Sequence, residues 1–324
     1  MYQIQYSCWD PKNFPGFNDH LIQLEKSSKA FLNSKSIFPG KESRCIDSFL
    51  HNMEYYYASL YKTHLITGKS QKLVLEQLKK LSLIKVLPPE NSRIYALAYK
   101  DHISLNPNIS PLNRLSKEET DLLIHSHELT HMINKRWLPE ASQYCSELYQ
   151  DPIVKVILHN MGLDISSLKN GFDLVDEVIA QESAERTVYL RKGTSRPPKT
   201  VRRDNAIFSC QPYVSNYNLY GEFQEIGTRF ARTLDFLHCT KEDSDEAVLR
   251  KLTIVAFEGN LVDCIKRELA LHPEKMDSFV ILLATMGKVK DSSYSIIGLS
   301  KNKGSINVNP YLSPFNKLSA ASQK

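Results

Sequence analysis

A chain of 324 residues with 42% hydrophobic and 24% charged content has ample apolar material for a sizeable core, which excludes wholesale disorder. Its formal net charge of +5 is mild and its basic residues are dispersed, so charge alone gives no nucleic-acid-binding signature. No apolar run approaches the ~20 residues of a membrane span, and Met1 to Phe17 lacks the apolar stretch of a Sec-type signal peptide.

From Arg44 to about Val86 the pattern is helical. Ile46, Phe49, Leu50, Met53 and Tyr57 recur at helical spacing, and a second run holds Leu75, Leu78, Leu81 and Ile84. Pro88-Pro89 breaks that pattern. Ile94 to Tyr99 and His102 to Leu105, separated by Lys100-Asp101, then predict a hairpin. After the Asn106 to Pro111 loop, Ser116 followed by Glu119 is a capping box, which predicts a helix running to about Lys135 and closed by Trp137 and Pro139. A further helix is expected over about Asp173 to Leu190. Gly193 to Asp204, basic and carrying Pro197-Pro198, is expected to be a mobile loop near the substrate path. Helical patterning returns over Tyr220 to Leu237 and Asp245 to Met286. Tyr294 to Leu299 and Ile306 to Val308 suggest a last hairpin before a polar tail.

The resulting expectation is an α+β chain, mostly helical, with one small sheet. It divides into a helical region over residues 1–90, a core over 91–240 and a C-terminal helical region over 241–324 with a hairpin and polar tail, either as separate domains or as one continuous domain.

The chemistry concentrates in His127-Glu128-Leu129-Thr130-His131. Two histidines four apart lie one above the other on a helix, so both imidazoles can reach a single zinc ion at about 2.0–2.1 Å. Glu128 is rotated away from the metal's ligands but stands beside its open position. There it can take a proton from a water attacking a carbonyl. Leu122, Leu123, Leu129, Met132 and Ile133 give the same helix its packing surface. His125 is two residues from His127, does not share its face, and reads as a surface or second-sphere histidine.

This segment, following a hairpin, resembles the active-site helix of the zincin superfamily of metallopeptidases. The resemblance covers about Arg93 to Leu190. It implies that an edge strand, Tyr95 to Tyr99 or His102 to Leu105, pairs with extended substrate. The longer metzincin pattern fails, because Asn134 stands where its glycine belongs and Trp137 where its third histidine belongs. What remains is similar to gluzincins, in which a glutamate from a second helix completes the metal site. Helix phase favours Glu177, which shares a face with Ala180, Ala184 and Val188, and a glutamate followed three residues later by alanine is also gluzincin-like. Asp176 and Glu182 stay open as alternatives, although Glu182 and Glu185 fall with Arg186 on a side that looks solvated. Glu225 reads as an exposed helix charge. Tyr213, Tyr217 and Tyr220 are candidates to stabilise an oxyanion, with nothing to rank them.

The expectation for function is a zinc endopeptidase carrying one Zn²⁺ per chain, acting on a protein substrate rather than on nucleic acid. Six cysteines without a C-x-x-C pair indicate reduced thiols, hence a cytosol. The resemblance extends to bacterial effector metalloproteases, which would place the chain in a host cytosol without a Sec signal. Two competing readings are a catalytically inactive zincin-like binding module and a basic binder through Arg191 to Arg203. Intact Glu128 argues against the first, and the lack of interleaved aromatics argues against the second.

Overall fold

The computed structural model describes residues 16–34, 39–87, 95–112, 115–194, 227–233, 237–240 and 242–299. Three helices open it: α1 (Phe17–Asn33), α2 (Pro39–Lys62) and α3 (Gly68–Leu78). Each buries a stripe at helical spacing, in α2 Ile46, Phe49, Met53, Tyr56, Tyr57 and Leu60. Thr67 and Ser70 form a capping box at the start of α3.

Beyond α3 the helical expectation fails. Leu83–Val86 is a strand, β1, pairing in parallel with β3 (His102–Leu105). Leu81 and Ile84 are three apart and mimic a helical stripe. The branched Ile84 and Val86 instead fill a sheet position, and the Ile84 N–H donates to Ser28 Oγ of α1 at 2.9 Å. The hairpin is as expected: β2 (Ala96–Ala98) runs antiparallel to β3, with Ala96 opposite Leu105 and Ala98 opposite Ile103. The sheet order is β1-β3-β2, so β3 is central and β2 is an edge.

Ser116 and Glu119 exchange the two hydrogen bonds of the expected capping box, at 3.1 and 2.8 Å, and α4 follows over Lys117–Asn134. The fully buried Trp137 leads into α5 (Leu138–Leu148), and α6 (Pro152–Asn160) is capped by Asp151. The long α7 begins at Ile165, well before the expected Asp173, because Asp164 accepts from the N–H groups of Ser166 and Ser167 and caps it there. It ends at Lys192, where Gly193 takes the left-handed conformation.

A short helical stretch at 227–233 precedes α8 (Asp245–Phe257), α9 (Leu261–Leu271) and α10 (Met276–Leu299). The expected strand over Tyr294 to Leu299 is the end of α10; its isoleucines look strand-like, but no proline or turn separates them from the preceding helix. Its partner Ile306 to Val308 lies outside the described residues.

Central to the assembly is α7, which packs against α2, α4, α5, α8 and α10. The α10 contact is close: a Cβ built on Gly287 would lie 1.8 Å from the Ser167 carbonyl oxygen, and one on Gly171 2.2 Å from that of Leu283. One hydrophobic cluster takes residues from α1 through to α10. Inside it, the buried Tyr56 hydroxyl of α2 lies 2.6 Å from Thr130 Oγ1 of α4 and 3.1 Å from Ser183 Oγ of α7. Among the described residues no helix is long and apolar enough to cross a membrane.

Candidate metal centre

Helices α4 and α7 run antiparallel. Leu122 and Leu123 share a cluster with Ala184 and Val188, while Asn134 reaches Asp176. This brings the middle of α7 onto the histidine face of α4. The two Nε2 atoms of His127 and His131 lie 3.0 Å apart, with the rings edge to face. Glu177 Oε2 is 3.3 Å from the first and 3.7 Å from the second. The ligand atoms of these three residues all fall within 4.8 Å of one another. Glu177 is thus the carboxylate brought to the pair.

Asp176 takes a different place. Its Oδ2 lies 2.8 Å from His131 Nδ1, on the far side of that ring, and its Oδ1 accepts from Asn134 Nδ2 at 2.7 Å. Asn134 in turn accepts from Trp137 Nε1 at 3.2 Å. A carboxylate there accepts from the Nδ1–H and turns Nε2 toward His127 and Glu177. Burial lowers the proton affinity of His131, yet Asp176 and Glu177 more than offset this and lift its pKa to about 10. The spot favours a cation.

Glu182 and Glu185 correct the sequence expectation. Neither is solvated: they are 0% and 6% exposed, Glu182 paired with Arg186 Nε at 2.6 Å and Glu185 accepting from Gln181 Nε2 at 2.7 Å. Phase analysis assumes one wet face, and the middle of α7 has none. His125 is likewise no surface residue, and its ring is engaged away from the candidate triad. It is 2% exposed, packs on Phe49 and lies with Nδ1 2.9 Å from Asn52 Nδ2. Burial, then the nearby Lys117 charge, push its pKa down to about 3, so it is neutral.

Glu128 is half-buried and faces a cleft of about 410 Å³ between β2, α4 and α7. Burial raises its pKa, opposed by His131 and His127 and by a hydrogen bond from the Ala98 backbone. The Tyr99 N–H donates to the His102 carbonyl and the Asn106 N–H to that of Tyr95. These ladder bonds turn the backbones of Tyr95, Leu97 and Tyr99 toward β3 and leave those of Ala96 and Ala98 facing the cleft. Of the two strands considered as the substrate edge, β2 is the one that lines it.

Tyr213, Tyr217, Tyr220 and Glu225 lie outside the described residues, as does the loop beyond Thr194. At the start of the basic cluster, Arg191 stands 3.8 Å from Glu118 and Lys192 3.1 Å from Glu119, both pairs tying α7 to the first turn of α4. Sequence reasoning missed the Asp176–Asn134–Trp137 chain behind His131. The usable signal was a general one, that a metal-binding histidine needs a partner on its other ring nitrogen. It also passed over Lys135, which lines the cleft one turn beyond His131. No protein-family model, curated protein or solved structure matches the chain, so what the site does is argued from its own atoms.

Proposed function

We propose that the protein is a zinc-dependent endopeptidase of zincin type, gluzincin-like in its ligand set, that hydrolyses a protein substrate with Glu128 as general base. The observation that carries this is the convergence of His127, His131 and Glu177 from two helices beside a cleft that Glu128 also faces.

The donor set fits zinc. Ligands at about 2.0–2.1 Å in a tetrahedral shell stand about 3.3 Å apart. The separations here are 3.0, 3.3 and 3.7 Å. Without a metal, the proton that His131 holds lies between the two Nε2 atoms, and a shared metal cation would take the place of that proton. Bound there, zinc supplies the Lewis acidity that brings a water's pKa to about 7 and polarises a carbonyl.

The rest of the chemistry belongs to the chain. Glu128 is set between burial, which favours its protonated form, and two histidines that favour its ionised form. A carboxylate so balanced can take a proton from the attacking water and then give it to the departing amine. The water's O–H bond breaks as the C–O bond forms; the C–N bond breaks as its nitrogen gains the proton. Asp176 holds His131 in the tautomer the ligand set requires. The outward backbone groups of Ala96, with the carbonyl of Ala98, offer an extended peptide a strand to pair with, which favours a polypeptide over a small substrate. The proposed place of action is a cytosol, the maker's or, by the resemblance to injected effectors, a host's.

Elemental analysis of purified protein should find about one zinc per chain. Glu128→Gln should keep that zinc and the fold while losing about two to four orders of magnitude in peptide hydrolysis. Protein with no affinity for zinc, or a Glu128→Gln variant cleaving at the wild-type rate, would end this reading.

A further inference from the structure

The cleft carries a cation that the proposed chemistry does not use. Helix α4 advances about 100° and 1.5 Å per residue. Lys135 therefore sits about 80° round from His127, between His131 at about 40° and Glu128 at about 100°, on the side of the helix that faces β2. It is half-buried and lines the cleft. An ammonium has three donors. Two of those of Lys135 go to the Tyr99 carbonyl and the Met132 sulfur, both uncharged. The third is left for whatever enters the cleft.

The direction of the strand says which part of a bound peptide that is. The Ala98 backbone bonds Glu128, the Tyr99 carbonyl meets Lys135, and Tyr95 packs on the cluster that holds Leu122 and Leu123. Strand β2 and helix α4 thus run the same way along the cleft. A peptide added to β2 in the more stable antiparallel sense enters at the Tyr99 end, so its residues before the cleaved bond meet Lys135. From the midpoint of the two histidines to Lys135 is about 9 Å along the helix, or two to three strand residues at ~3.3 Å each.

Resting on the peptidase reading, we propose that Lys135 determines specificity by binding an acidic side chain two or three residues on the N-terminal side of the cleaved bond. The acids whose charges act on Lys135 are Asp176, Glu128 and Asp101, and each has another partner, Asp101 lying 2.9 Å from His102 Nδ1. Asp176 is held by His131 and Asn134, Glu177 faces the histidine pair, and the Ala98 backbone holds Glu128. Asp173 stands on the α7 wall across the cleft.

Two measurements test it. Zinc-loaded full-length protein is first given a proteome-derived peptide library. Cleaved sequences should be enriched in Asp and Glu at the two positions named, and Lys135→Glu should exchange that enrichment for Lys and Arg. The second measurement is binding alone, by fluorescence anisotropy, in the zinc-loaded Glu128→Gln background. An alanine-rich, C-terminally amidated decapeptide with one internal Glu should bind about tenfold tighter than its Gln counterpart. Adding Lys135→Met should erase that difference, and Lys135→Arg should keep it, with zinc content and circular dichroism unchanged in both. Several results overturn the proposal: no difference between the Glu and Gln peptides, a difference that persists in Lys135→Met, enrichment after the cleaved bond, or a preference that requires a free C-terminal carboxylate. Protein that discriminates the peptides yet cleaves nothing would keep the Lys135 site and refute the peptidase reading instead.

Discussion

Where α7 meets α10, glycine is set against backbone: Gly171 on the carbonyl of Leu283 and Gly287 on that of Ser167, with no room for a methyl group at either. Two turns further along, where the same helix meets α4, it presents Asp176 and Glu177 to two histidines across an open cleft. The first contact is pure shape and tolerates nothing larger. The second concentrates acids and imidazoles that would be costly to leave without a cation or a proton among them. One helix can do both because the rigid contact fixes its position, so the polar one does not have to. Stability and chemistry should therefore separate cleanly by which side of α7 is altered.

The sharpest test of that separation is a pair of alanine substitutions on α7. Glu177→Ala removes a proposed ligand and should weaken zinc binding more than about a hundredfold, with thermal stability in metal-free buffer little changed. Glu182→Ala should leave zinc affinity unchanged and cost a few kcal/mol of stability, because Arg186 loses its fully buried partner. Zinc titration and thermal melts of both variants decide it; the reverse pattern would exchange the roles given to the two glutamates. A smaller effect is expected one sphere out. Asp176→Asn keeps the shape behind His131 but removes the charge, and should lower zinc affinity about 10- to 100-fold in the same titration. Similar on the free-energy scale, but read in stability rather than in metal affinity, is Gly287→Ala on the other side. Overpacking against the Ser167 carbonyl should cost about 1–3 kcal/mol, read as a drop of a few degrees in melting temperature, with zinc affinity untouched. A metal affinity that falls with the melting point would show that the two contacts are coupled.

Legibility from the sequence followed how local each cause is. The start of α4 was readable because a capping box is a four-residue device, and the β2–β3 hairpin because its two strands flank a two-residue turn. His127 and His131 were readable because one helical turn brings them together. Glu177 was reached by phase and resemblance, and it converges on them. What failed depended on distant packing. Residues 83–86 become a strand only because β3 lies alongside, some twenty residues later in the chain. Glu182 and Glu185 looked wet because nothing local says that α7 is surrounded. His125 looked superficial because its partner Asn52 comes from another helix. The first helix, α5 and α6 were not assigned at all; their apolar stripes are short and acquire meaning only against α2, α7 and α10.

The Tyr56 hydroxyl, held between Thr130 and Ser183, bears on the geometry of the candidate metal centre. Apolar faces are tolerant of sliding: α4 could shift along α7 by one turn, about 5.4 Å, and still bury leucine against alanine and valine. Directional bonds from a third helix are not tolerant in that way. They act as a latch on the register of the two helices, and register is what decides whether the Glu177 carboxylate meets the histidine pair or misses it. The latch closes during folding, from side chains with no affinity for metal. Any ion that binds there meets a site assembled in advance, and its binding free energy need not be spent on bringing two helices into line.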